Sequence, residues 1–124
     1  MADAGGSRIL LVADADESIR SLVYLTLKNE RTEVLEAADV DETLDLLHAH
    51  EPVLAIIDLG LPELGGVETC RRIRESGQGP RTILLVRKAE LGNIPDEAIS
   101  DGLLTKPFTS LALLRKVDQM LGGI

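Results

Sequence analysis

Four apolar runs in this chain are each followed by side chains that could do chemistry together. Asp14 and Asp16 follow Ile9 to Ala13, and Asp58 follows Val53 to Ile57. Arg87 and Lys88 follow Ile83 to Val86, and Lys106 follows Leu103 to Thr105. A carboxylate held in a crevice can act as an oxygen ligand for a hard cation or as a nucleophile toward phosphorus. Magnesium suits both roles: it keeps most of its waters, needs only one or two carboxylates, and screens the charge that would repel an anionic phosphoryl donor. A lysine opposite could then hold the product phosphate. Taken singly, each residue has a plainer reading. An Asp after a strand more often caps a helix or forms a turn, and Lys106 before Pro107 could be an ordinary surface lysine.

The joint reading depends on elements that bring these residues to one place. With Val34 to Ala37 there are five apolar runs, continuous rather than alternating, as buried parallel strands require. The stretches between them have helical spacing. Strands alternating with helices imply crossover units and a parallel sheet covered on both faces, whose ligand site lies at the carboxyl ends of the strands. The first helix starts near Asp16 or Ser18, with Ile19, Leu22, Val23 and Leu27 along one face. In the second, Asp39 and Glu42 form a capping box, Val40, Leu44 and Leu47 form the stripe, and Pro52 ends the segment. The third runs from about Gly66 to Ser76, with Val67, Cys70 and Ile73 inward and Arg71, Arg72 and Arg74 solvated. Gly92 and Pro95 interrupt the fourth segment, which is expected to hold one or two turns beginning at Pro95. The last runs from about Ser110 to Leu121 with Leu111, Leu114 and Val117 inward, closed by Gly122 and Gly123.

The 124 residues fit one domain, residues 1–124, and the short polar start, residues 1–7, is expected to be disordered. With one Phe, one Tyr and no Trp, the core must be aliphatic. A net charge of -8 works against direct nucleic-acid binding, which needs clustered Lys and Arg, and against anionic membranes. No apolar run approaches the length of a membrane span, about 20 residues. The single Cys70, read as core filler, excludes an internal disulfide and points to a reducing cytoplasm.

Three local patterns resemble the receiver domain of bacterial response regulators, over essentially Arg8 to Leu121. They are Leu11-Val12-Ala13-Asp14 leading into Glu17-Ser18-Ile19-Arg20, then Asp58-Leu59-Gly60-Leu61-Pro62 followed by Gly65-Gly66, then Lys106-Pro107-Phe108. The resemblance implies a flavodoxin-like, doubly wound α/β fold with a five-stranded parallel sheet in the order 2-1-3-4-5 and five helices, the fourth shortened. It implies phosphorylation of Asp58 by a histidine kinase or phosphotransfer protein, and a phosphate-binding Lys106. It also implies magnesium held by Asp58, the backbone carbonyl of Gly60 and Asp14. Such a domain is a phosphoacceptor and not an independent enzyme. An output domain following Ile124 and a homodimer both stay open.

The chain departs from the family pattern at three places. Receivers usually end their first strand with two adjacent acids, the second being the direct magnesium ligand, and here that second place holds Ala15. A one-residue slip would instead put Asp14 in the ligand position and Ala13 in the other. In the gap-free match magnesium affinity should fall, with Asp14 acting through a water and Asp16 a substitute ligand unless it caps the first helix. Arg87 occupies the switch position, where the family carries a Ser or Thr, and its guanidinium could point to solvent or pair with Asp58 or a phosphate. Leu103 stands where the family has an aromatic switch residue.

Two functions therefore compete: a working phosphoacceptor, and a pseudo-receiver that serves as a phosphorylation-independent interaction domain. A third, a small enzyme of another flavodoxin-like kind, has no positive support. There is no Gly-rich dinucleotide loop and no phosphate-binding Walker pattern, and His48 and His50 fall late in the second helix, far from the site.

Overall fold

A computed structural model describes residues 8–77, 79–94 and 100–122. Five strands, β1 (Arg8–Ala13), β2 (Thr32–Ala37), β3 (Leu54–Asp58), β4 (Arg81–Arg87) and β5 (Gly102–Lys106), form one sheet in the order β2-β1-β3-β4-β5. All four pairings are parallel. The helices α1 (Glu17–Leu27), α2 (Val40–His50), α3 (Gly65–Glu75) and α4 (Ser110–Leu121) cross over between strands or close the chain.

The continuous apolar runs bury both faces of the sheet, giving two aliphatic cores. Leu10, Val12, Leu54, Ile56, Ile83, Leu85 and Leu104 pack against Val23 and Leu27 of α1 and Leu113 and Val117 of α4. On the opposite face, Leu11, Ala13, Ala55, Ile57, Leu84 and Val86 pack with Val40 of α2 and Cys70 and Ile73 of α3.

Local capping sets the helix starts. Asp16 accepts a hydrogen bond from the Ser18 N–H at 2.8 Å and opens α1. Asp39 accepts from Glu42 N–H at 2.8 Å, while the Glu42 carboxylate reaches back to the N–H of Ala38 rather than of Asp39. On α3, Arg71 and Arg72 are not merely solvated, because both form ion pairs with Glu68.

Two expectations need correction. Five helices were expected, and the described residues contain four α-helices. Between β4 and β5 they hold instead a 3-10 helix, Lys88–Asn93, starting directly after β4. The Arg87 N–H donates to the Glu90 carboxylate at 2.8 Å, which fixes a tight turn there, and Gly92 does not favour an α-helical continuation. The expected start at Pro95 lies outside the described residues.

The inward face expected for α4 holds at Val117 but not at Leu111 and Leu114. Leu113 and Val117 are buried, with Ala112, Met120 and Leu121 beside them, whereas Leu111 and Leu114 are 56% and 40% exposed. At about 100° per residue, positions 113, 117, 120 and 121 make one stripe, and 111 points nearly opposite to 113.

Candidate functional site

Parallel strands all deliver their carboxyl ends to one edge, and β1, β3, β4 and β5 deliver Asp14, Asp58, Arg87 and Lys106. Side chains alternate between faces along a strand. Asp14 follows Leu10 and Val12, Asp58 follows Leu54 and Ile56, Arg87 follows Ile83 and Leu85, and Lys106 follows Leu104. All seven apolar residues belong to the core on the α1 and α4 side. The four polar residues therefore start from the same face of the sheet.

Asp14 is 2% exposed and has a partner for every group that needs one. Its N–H donates to the Ala37 carbonyl at the end of β2, extending the sheet by one bond. Its Oδ1 accepts from the Asp16 N–H at 2.9 Å, and its Oδ2 accepts from the Lys106 ammonium at 2.7 Å. Its carbonyl accepts from Arg20 at 2.7 Å, and Arg20 also pairs with Glu36 at 3.4 Å. This clamp from α1 was not singled out from the sequence, where Arg20 stands only as part of the Glu17-Ser18-Ile19-Arg20 pattern.

Asp58 ends β3 with its side chain 16% exposed, so it is seated in protein yet reachable. Its Oδ1 accepts from Lys106 at 2.7 Å and its Oδ2 from the Gly60 N–H at 3.1 Å. The turn carrying Gly60 runs into α3, whose Gly66 lies against Asp58 and Leu59. A Cβ on Gly66 would stand 2.3 Å from the Asp58 carbonyl oxygen, so only glycine lets α3 approach the strand end this closely. The sequence shows Gly65-Gly66 as a motif, but not this contact.

Lys106 ends β5 and crosses the end of β4 to reach both carboxylates. Burial alone would lower its pKa, but the hydrogen bonds to Asp14 and Asp58, reinforced by their charges, outweigh burial and raise it above the ordinary 10.5. The ammonium thus stays protonated between two acids. Arg87 is exposed, lies beside Lys106 in the strand register, and is not ion-paired with Asp58.

The donor set is thin for a metal. Among the described residues no three His, Cys, Asp or Glu side chains converge. Ala15 is exposed and carries no oxygen on its side chain, and Asp16 is committed to capping α1. Two carboxylates and a backbone carbonyl nevertheless fit magnesium, which retains several waters and needs only one or two protein carboxylates. His48 and His50 lie in the last turn of α2, outside this cluster.

An open sheet with two acids and an ammonium gathered at the carboxyl ends of its strands defines a doubly wound α/β domain whose polar cluster lies at the edge where such folds hold their ligands. Residues 10–118 match the response regulator receiver domain, and the chain belongs to that family. Solved structures agree. The chemotaxis response regulator CheY4 of Vibrio cholerae is 26% identical with a TM-score of 0.78, covering 92% of this chain and 98% of its own. The receiver domain of AraT, a response regulator from Geobacillus stearothermophilus, is 28% identical with a TM-score of 0.81, covering 91% and 92%. The signal receiver domain of an HD domain-containing protein from Pseudomonas fluorescens Pf-5 is 26% identical with a TM-score of 0.84, covering 94% and 95%. The chain is thus a receiver domain of the two-component signalling type. No helix among the described residues is long and apolar enough to cross a membrane.

Proposed function

We propose that this receiver unit, spanning residues 1–124, accepts a phosphoryl group on Asp58 from the phosphohistidine of a histidine kinase or phosphotransfer protein. The observation that carries the reading is the Lys106 ammonium at 2.7 Å from Asp58 and at 2.7 Å from the buried Asp14. An Asp58 carboxylate oxygen attacks phosphorus, a new O–P bond forms, and the P–N bond of the donor breaks. The imidazole leaves with the bonding pair and takes a proton from water. Lys106 then exchanges its contact with the Asp58 carboxylate for one with a phosphoryl oxygen, while Asp14 keeps it in place.

Magnesium, when bound, supplies positive charge that offsets repulsion between the donor and the site. Asp58, the Gly60 carbonyl and Asp14 through a water would hold it, with reduced affinity because position 15 is alanine. The phosphorylated state would be passed to a partner or to an output domain beyond Ile124, in the cytoplasm where such kinases act. The exposed Ala15 and the guanidinium at position 87 favour a second reading, a pseudo-receiver that works as an interaction domain without phosphorylation. Intact-mass measurement after incubation with magnesium and acetyl phosphate separates the two. One added phosphoryl group is expected, and no adduct under conditions that label an ordinary receiver would favour the pseudo-receiver.

A further inference from the structure

Arg87 stands on the strand between the two residues that the phosphoryl site joins. In the sheet, β4 lies between β3, which carries Asp58, and β5, which carries Lys106. Neighbouring strands are about 4.8 Å apart, so Lys106 reaches Asp58 only by passing over the end of β4. Arg87 is the last residue of that strand, is paired in register with Lys106, and starts from the same sheet face.

Its main chain is held, and its guanidinium is exposed. The Glu90 carboxylate accepts from the Arg87 N–H, anchoring the backbone at the mouth of the site. Among the described residues the Arg87 guanidinium forms no ion pair. Five donors in a planar fork thus stand exposed beside a pocket whose ammonium is already shared between two acids.

Charge counting shows what this arrangement can accept. A phosphoryl group on Asp58 would carry about two negative charges. Asp14 adds one more and Lys106 removes one, which leaves the pocket about two charges negative without a metal. Arg87 brings the balance to about minus one. With an acid at position 15 and no guanidinium at 87, the same count would be about minus three, and a divalent ion would be needed to reach minus one. Ala15 and Arg87 therefore each move the pocket by one charge in the same direction, and together they match the two charges of the ion.

We infer that Arg87 and Lys106 form a two-cation clamp that lets this site bind a phosphate or phosphoryl group without magnesium. The inference rests on the phosphoacceptor reading for its biological use but concerns oxyanion binding as such. In the covalent case the O–P bond to Asp58 forms and the donor's bond to phosphorus breaks as above, with Arg87 and Lys106 each holding a phosphoryl oxygen.

The test is titration of the full chain with inorganic phosphate in excess EDTA, followed by amide NMR at Gly60 and Lys106. Saturable binding is expected, weakened at least about tenfold in Arg87→Ser, the loss of a single charge-assisted contact. Arg115→Ser, which removes an exposed charge from α4, should leave it within about twofold. Absence of saturable binding without metal, or equal affinity in Arg87→Ser, would overturn the inference. Parallel intact-mass measurement with acetyl phosphate in magnesium and in EDTA separates the claims. Labelling in magnesium with no saturable phosphate binding in EDTA would sink the clamp and leave Asp58 as phosphoacceptor. Metal-free phosphate binding without any covalent adduct would sustain the clamp and sink the phosphoacceptor.

Discussion

Replacing Lys106 with methionine keeps the aliphatic stem and removes the ammonium from between two acids, so its cost measures how strongly the site is held together. A hydrogen bond to a charged group contributes about 1.5–3 kcal/mol net, and the value approaches the upper end as water is excluded. Asp14 is 2% exposed and loses its ammonium partner nearly in full, about 2–3 kcal/mol. Asp58 is more open to water, and its share is about 1 kcal/mol. Lys106→Met should therefore destabilise the fold by about 3 kcal/mol. With a urea dependence of about 1.5 kcal/mol per molar, the unfolding midpoint falls by about 2 M. Double-mutant cycles with Asp14→Asn and Asp58→Asn apportion the loss, and the coupling to Asp14 should be the larger.

The pH dependence follows from the raised Lys106 pKa. The folded chain holds this proton more tightly than the unfolded chain, so stability from the pair is complete below the unfolded lysine value, about 10.4, and is lost as pH rises through the folded value above 10.5. The stability difference between wild type and Lys106→Met should stay flat from pH 7 to about 10 and shrink above that. A difference under about 1 kcal/mol at neutral pH, or stronger coupling to Asp58 than to Asp14, would refute this account of the site's electrostatics.

Ala15→Asp should tighten magnesium binding, read by calorimetry, if the gap-free match to the family is right; unchanged affinity would support the one-residue slip. On α4, Leu113→Ala should cost about 2–5 kcal/mol and Leu114→Ala about 0.5 kcal/mol or less in urea unfolding, and the reverse order would restore the inward face expected from the sequence. Burial pushes the Cys70 thiol up to about 12, with a hydrogen bond to Thr82 opposing it only in part. A thiol reagent at pH 8 should label Cys70 only as fast as the chain unfolds, and rapid labelling of native protein would contradict its place in the core.

The strands could be read because their signal is redundant, five apolar runs each punctuated at its carboxyl end, whereas their order came only from the resemblance to receiver domains, since parallel pairing alone allows several orders. Asp14, Asp58 and Lys106 were legible for the same reason, since strand ends are where a parallel sheet collects its polar residues. What the sequence hid depends on rotation and contact. In α4, leucines occupy positions 111, 113 and 114, so composition alone does not choose the stripe, and packing on β5 and α1 decides for Leu113. The 3-10 helix at Lys88–Asn93 opens where the Arg87 N–H donates to the Glu90 carboxylate, a local bond that no periodicity reports. Arg20 was hidden similarly, because its partner is a backbone carbonyl rather than an acid at helical spacing.

Phosphorus NMR of the chain after treatment with acetyl phosphate and magnesium tests the assignment of Asp58 most directly. An acyl-phosphate resonance is expected in wild type and in Asp14→Asn, and none in Asp58→Asn. The same resonance persisting in Asp58→Asn would place the phosphoryl group elsewhere and contradict the proposed chemistry.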